Sequence, residues 1–428
     1  MSAAAKARAG RPAVVVTGAG VVSPLGDRPR DLFAALCRGE SAIAPVEGID
    51  LSAARAGRAG SPLAGEVKGF DPRRYLGEKN FRPLDRTGRL ATAAAELALA
   101  ASGWDAGARR EREVGLVLGT MFGSVRTISE FDRRALTAGP NYAKPLDFAN
   151  SVINAAAGQT AIWHDLRGIN TTLSGGNTGG LVALGYAADL VAGGRAAAIL
   201  AGGADELCFE SFYGFQQAGL LAGSRNGGAP RPVPFDRRRN GFVPGEGAVL
   251  LMLERADAAA ARGAAPYARV AGHAAAYDPS RGRDDAAATA TLARAVRLAL
   301  EDAAVEPGDV DLLSLSANGS VAGDAREARA LAEVFGDRLG EVPACAVKAA
   351  LGEALGAGGG YQALAAVSAL AEGRLPGVPA LDAADEALPL PSLAGGERPL
   401  AGARVALLTA LDFDGGAVAV VLTAAERS

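Results

Sequence analysis

Residues 168–180 read Gly-Ile-Asn-Thr-Thr-Leu-Ser-Gly-Gly-Asn-Thr-Gly-Gly. Within them the small-residue turn Ser174-Gly175-Gly176-Asn177 opens a helix predicted to reach Ala192, and the apolar run Ala197–Ala201 follows as a strand turning at Gly202-Gly203. The same unit returns later. Lys348–Gly352 leads into a Gly/Ala-rich helix through Ala371, and a strand at Val405–Thr409 precedes Gly415-Gly416. Upstream of each unit lies a second matching pair. The helix Ala91–Ser102, a turn at Gly103 and the strand Val114–Leu118 correspond to the helix Leu292–Ala303, a turn at Pro307-Gly308-Asp309 and the strand Val310–Leu315. Order repeated at this length indicates an internal duplication. Alternating helices and buried strands predict predominantly parallel sheets covered by helices. Matching strand-to-helix turns in two packed halves would face a shared crevice, so a site should draw on both halves.

The 428 residues, 49% hydrophobic and 21% charged, can bury a large core as one compact α/β unit or as two or three domains. A net charge of −3 and a pI near 5.7, with arginines scattered among acids, leave no basic face for nucleic acid. Apolar runs are all broken well before the 18 or so residues of a membrane span. Met1–Arg11 carries Lys6, Arg8 and Arg11 but no signal-peptide core, so a frayed tail on a cytoplasmic protein is expected. Cys37, Cys208 and Cys345 are too dispersed for a disulfide framework or zinc site, and His164 and His273 show no metal-ligand spacing. A reducing compartment and no metal are the expectation.

Further motifs carry a resemblance. Val14–Gly26 (VVVTGAGVVSPLG), Leu84-Asp85-Arg86, Pro234-Phe235-Asp236 and Asn240–Gly247 (NGFVPGEG) follow one another in an order that resembles the β-ketoacyl synthase family nearly end to end. The resemblance implies an α/β, thiolase-like fold, with duplicated βαβαβαββ halves in a five-layered αβαβα arrangement. Residues 1–255 would form the half bearing the nucleophile position, and residues 256–428 the half bearing two histidine positions.

At those positions the chain departs from the family. In an active synthase a cysteine in the turn before the first-half helix attacks the acyl thioester; the resemblance places Asn177 there. Taken alone, Asn177 would be a good helix N-cap. Two histidines of the family polarise the malonyl thioester and support the enolate; their positions hold Asn318 and Glu353, with the family's lysine kept as Lys348. A carboxylate at 353 would repel the malonyl carboxylate and the enolate unless protonated, and a Lys348–Glu353 ion pair filling the vacated pocket is the plainer reading. The loop Ser316–Ser320 also reaches Gly323-Asp324 sooner than the family pattern does. Leu411–Gly415 stands where the family has its Gly-Phe-Gly-Gly turn, so Phe413 falls at the gate and oxyanion loop with Asp412 and Asp414 beside it. Losing a whole nucleophile and base set costs on the order of a millionfold in turnover. No catalytic residue is therefore expected, and Ser174, Thr178, Cys208, Cys345, His164 and His273 are not expected to substitute.

The resemblance then implies a chain-length-factor type subunit, inactive alone and part of a β-ketoacyl-[acyl-carrier-protein] synthase complex. Such a subunit pairs with an active synthase and shapes the acyl tunnel and product length in type II polyketide, aryl-polyene or related polyene biosynthesis. In that branch the cysteine position is usually glutamine, and Asn177 keeps the amide. The expected partners are the active synthase and an acyl carrier protein bearing phosphopantetheine, with no cofactor of its own. Met121, Phe122 and Val125 are the tunnel candidates, and Gly119–Val125 and Ala149–Gln159 read as interface segments. The alternatives are a malonyl-carrier decarboxylase for priming, and a divergent acyltransferase using reassigned residues such as Glu353 or Asp414.

Overall fold

The structure, a computed structural model, describes residues 11–52, 62–78, 81–225 and 228–425; apart from Arg11, the tail expected over 1–11 lies outside these residues. The elements that build the first half are β1 (Val14–Val22), α1 (Arg86–Ser102), β2 (Val114–Thr120), α2 (Val125–Ala138), α3 (Ala155–His164), β3 (Asn170–Ser174), α4 (Gly179–Ala192), β4 (Ala198–Asp205), α5 (Phe209–Gln217) and β5 (Gly247–Arg255). The second half repeats them with β6 (Ala268–Tyr277), α6 (Asp285–Ala303), β7 (Leu312–Ser314), α7 (Val321–Phe335), β8 (Ala344–Cys345), α8 (Lys348–Leu351), α9 (Gly356–Glu372), β9 (Val405–Leu411) and β10 (Gly416–Ala424).

These strands pair in the order β8-β7-β9-β10-β6-β1-β5-β4-β2-β3. Outward from the seam where Val14–Val16 of β1 meets Ala268–Val270 of β6, both halves show one order: first, fifth, fourth, second and third strand. This is the duplication read from the sequence. The sheet is mixed, however, and not predominantly parallel. Strands β2, β3 and β4 pair parallel, as do β7, β8 and β9, whereas β5 and β10 run antiparallel to both of their neighbours. The reason is local for β10: only Asp412–Gly415 separates it from β9, and so short a connection permits only a hairpin.

Every residue of β1 (VVVTGAGVV) is buried, as a strand covered on both faces requires. Helix α9 is buried continuously from Gly356 to Val367, so it has no solvent face. It packs, as α4 does, on strands of both halves. Helices α4 and α9 are thus the middle of five layers, with α1 and α3 outside the first set of strands and α6 and α7 outside the second. The two central helices touch backbone to backbone: a Cβ on Gly180 would lie 2.5 Å from Gly356 O, and one on Gly359 would lie 2.6 Å from Leu181 N. This glycine crossing brings the turn before α4 against the turn before α9.

Two local expectations change. Helix α1 begins at Arg86, ahead of Ala91, because the Asp85 side chain caps it by accepting from Gly88 N at 2.8 Å. Gly202 and Gly203 lie inside β4 and do not form its terminal turn; Gly203 leaves room for the Gly356 carbonyl, 2.0 Å from where its Cβ would be.

Candidate functional site

Asn177 sits in the single turn Gly176–Thr178 just ahead of α4 and is 1% exposed. Its side chain does not cap the helix. The Nδ2 group turns inward, donating to Leu411 O at 3.1 Å and to Glu353 Oε2 at 3.5 Å, while its backbone N–H donates to Asp412 Oδ1 at 3.3 Å. These contacts come from the second half, delivered by the crossing of the central helices.

Glu353 is fully buried between α8 and α9. Its Oε2 accepts from Lys348 Nζ and from Asn318 Nδ2, each at 2.8 Å, besides Asn177, and its Oε1 accepts from Leu355 N at 3.2 Å. Three of the sequence-predicted positions, Asn177, Asn318 and Lys348, thus converge on the carboxylate of the fourth, Glu353. The surrounding backbone explains how. Glu353 N donates to Val243 O and Gly245 N donates to Glu353 O, both at 2.8 Å, while Gly241 N donates to Gly319 O at 3.0 Å. The NGFVPGEG segment is therefore the strap that holds the loops bearing Asn318 and Glu353.

The loop bearing Asn318 is built on two buried acids of α7. Asp324 accepts from the N–H groups of Asn318 and Gly319 at 3.2 and 3.3 Å, and Glu327 from those of Ser316 and Ala317 at 2.7 and 2.8 Å. Burial pushes Asp324 up to about 6 and Glu327 up to about 7.

In the Asp412–Gly415 turn the two acids part company. Asp412 leans on the Asn177 turn, a Cβ on Gly176 falling 2.2 Å from its Oδ1, and burial raises its carboxyl above the ordinary range against the pull of the Asn177 N–H. Asp414 does not flank the site: it is exposed and forms a two-pronged ion pair with Arg281, 2.8 Å at each contact, which lowers its carboxyl.

Phe413 joins an aromatic cluster, stacked on Phe242 at 5.2 Å and tilted against Phe215 at 5.8 Å, with Phe122 another 5.8 Å from Phe215. Met121, Phe122, Phe413 and Leu355 share this cluster, so the expected tunnel and gate residues meet. Val125 does not belong to it; it is half-buried at the start of α2. Phe215 was missed in the sequence because it lies mid-helix with no motif around it.

Of the other groups considered in the sequence, Thr178 shares the Asn177 turn and the rest lie apart from it. Ser174 is exposed at the end of β3, and Thr178 Oγ1 donates to Gly175 O at 2.6 Å. Cys208 and Cys345 are buried, and desolvation pushes both thiols up to about 12. His164 packs between α1 and α3 with Nε2 2.9 Å from Thr92 O, and His273 lies within β6, its Nε2 3.2 Å from Asp189. A cavity of about 550 Å³ is bounded by Asn318, Ser320, Asp324, Asp412 and Phe413; Asn177, Lys348 and Glu353 are not in its lining. Among the described residues no helix is long and apolar enough to cross a membrane, and no group of three or more His, Cys, Asp or Glu could hold a metal ion.

Comparison with known proteins agrees with this architecture. Residues 11–259 match the beta-ketoacyl synthase N-terminal domain and residues 267–382 its C-terminal domain. The chain is 35% identical over 358 residues to the tetracenomycin polyketide synthase ketoacyl synthase beta subunit of Streptomyces glaucescens, covering 81% of this chain and 82% of that protein. It is 31% identical over 377 residues to 3-oxoacyl-[acyl-carrier-protein] synthase 2 of Coxiella burnetii, covering 87% and 89%. Among solved structures, the ishigamide ketosynthase/chain length factor superimposes with a TM-score of 0.89 at 29% identity, over 97% of this chain and 100% of that one. With both domains matched across most of its length, the chain belongs to the β-ketoacyl synthase family.

Proposed function

We propose that this chain is the non-condensing partner subunit of a β-ketoacyl synthase heterodimer, shaping the acyl tunnel and product length in type II polyketide, aryl-polyene or related polyene biosynthesis. The observation that carries the reading is the closed carboxylate centre: Glu353 engages Lys348, Asn318 and Asn177 together. No thiol or hydroxyl nucleophile stands there. The Asn177 N–H, the kind of donor an oxyanion needs, is already engaged by Asp412. Asn318 Nδ2, the donor an enolate would need for decarboxylation, is likewise engaged by Glu353. A carrier-borne thioester reaching the neighbouring cavity would meet Asn318 and Asp412, not a nucleophile.

A surface suited to a partner supports the second half of the reading. At one end of the sheet β8 is covered, its Ala344 N donating to Ser392 O. At the other end, among the described residues, β3 pairs with β2 alone, leaving a bare edge that can accept another strand. Exposed apolar side chains lie on the stretch that precedes β3 in the chain, among them Leu136, Tyr142, Phe148 at 65% exposure, Val152 at 51% and Ile162 on α3, which packs on β3. Obligate interfaces of this kind bury more than about 2,000 Å² and resemble a divided core. Met121 and Phe122 join the aromatic cluster from the β2 side, and in this reading they form tunnel wall.

The test is to purify the chain alone and together with the synthase encoded beside its gene, and to assay both with malonyl-carrier protein. The chain alone is expected to gain no acyl mass and to release no product, whereas the pair condenses. A stable acyl adduct on the isolated chain, or a monomer that ignores the synthase in size-exclusion chromatography, would overturn the reading.

A further inference from the structure

Asp205 ends β4 and is buried at 2% exposure, yet none of the chemistry above uses it. Its carboxylate is saturated by four donors, two on each oxygen. Oδ1 accepts from Thr120 Oγ1 at 2.7 Å and from Phe122 N at 3.3 Å; Oδ2 accepts from Met121 N and from Gly356 N, both at 2.8 Å. Thr120 Oγ1 in turn accepts from Gly123 N at 3.1 Å, so residues 121–123 are fixed through this one side chain. Gly356 is the first residue of α9, whose N-terminus favours an anion. A Cβ at 356 would sit 2.8 Å from Asp205 Oδ2, so the bond depends on glycine there.

We infer that Asp205 is a specificity-determining positioning residue: it clamps the Met121–Phe122 backbone to the start of α9 and thereby fixes where Phe122 stands in the aromatic cluster. This rests on the proposal that Phe122 forms tunnel wall. The clamp spans the halves, because β4 and residues 120–123 belong to the first and Gly356 to the second. Burial raises the Asp205 carboxyl to about 6, and the four donors oppose that rise.

The chemistry selects the variant. In Asp205→Asn, an Nδ2 placed at the Oδ1 position meets Thr120 Oγ1, which can turn and accept, and Phe122 N–H, which cannot. Met121 and Gly356 keep their acceptor. The substitution therefore releases the Phe122 amide in particular. In the reconstituted pair with the synthase cysteine intact, Asp205→Asn is expected to raise the ratio of longer to shorter products by about two- to tenfold, the range of one lost hydrogen bond, in the same direction as Phe122→Ala. Added to Phe122→Ala, it is expected to change nothing further, an outcome that general loosening of the fold would not give. Thr120→Ala, which removes one of the four donors, should act in the same direction and serves where Asp205→Asn does not assemble.

Unchanged product ratios in Asp205→Asn and Thr120→Ala, with Phe122→Ala effective and the heterodimer intact, would overturn the positioning role alone. A silent Phe122→Ala would remove the tunnel reading and this role with it. Failure of both clamp variants to assemble would assign Asp205 to the fold and also overturn the role.

Discussion

Lys348 Nζ lies 2.8 Å from Glu353 Oε2, and both side chains are buried, at 1% and 0% exposure. A buried pair of this kind stands only while both partners remain, since either charge alone lacks water to solvate it. Glu353→Gln is therefore expected to cost about 3–5 kcal/mol in chemical denaturation. The double variant Glu353→Gln/Lys348→Met should recover most of that loss. Equal stability of Glu353→Gln and the parent chain would show that the carboxylate does not balance the lysine.

Asn177→Cys alone is expected to yield little or no condensation. The new thiol would face Leu411 O and the Glu353 carboxylate, and a neighbouring anion raises a thiol's pKa and removes the thiolate. The enolate would also remain unsupported at Asn318 and Glu353. Intact-mass analysis with acyl-carrier protein, followed by product assay, reads both steps. Robust condensation from this single change would mean that the histidine positions have been misassigned.

Phe122→Ala and Val125→Ala should lengthen products of the reconstituted pair, and Val125→Phe should shorten them. Phe122 has the larger expected effect, because it packs on Phe215 in the cluster that also holds Phe413, whereas Val125 stands outside it. Mass spectrometry of the products decides. An unchanged length distribution in all three variants, with turnover intact, would detach this segment from length control.

Phe148→Asp places a charge on a side chain that is 65% exposed and rests against Phe131, 6.0 Å away. The isolated chain should keep its far-ultraviolet dichroism while its affinity for the synthase falls at least about tenfold, as for a buried interface residue. Undiminished heterodimer formation would exclude this face from the interface.

Glu327 gives a pH dependence with a defined sign. Its carboxyl stands at about 7 in the folded chain against 4.5 when free, because burial disfavours the charge. The folded state thus holds this proton over a range where the unfolded state has released it. The associated stability is fully present below about 4.5 and is lost as pH rises through about 7. Urea midpoints measured from pH 5 to 8 should fall more steeply in the parent chain than in Glu327→Gln. Parallel slopes would contradict this assignment.

The repeated order of helices and strands was legible in the sequence because each unit carries its own local signals. Continuous apolar strands, Ala-rich helices and glycine turns recur in the same succession, and the motifs at 14–26, 84–86 and 234–247 fixed the family resemblance. The direction of β5 was not legible, because a buried apolar strand looks the same in either orientation. The expectations that Asn177 stands at the family's cysteine position and that Lys348 pairs with Glu353 came from the resemblance and needed no coordinates.

Other features belong to the tertiary structure alone. Asp412 and Asp414 are two positions apart and chemically alike, yet one is drawn into the Asn177 turn and the other out to Arg281. Only the hairpin between β9 and β10 sets which way each points. That Asn177, Asn318 and Lys348 share one acceptor, and that Asp205 ties residues 120–123 to Gly356, follows from the crossing of α4 and α9 at their glycines. Sequence patterns report which side chains are buried, through the period of apolar residues along one element. The choice of partner for a buried polar group depends on how two elements far apart in the chain are packed, and here backbone-to-backbone contact between the central helices made that choice.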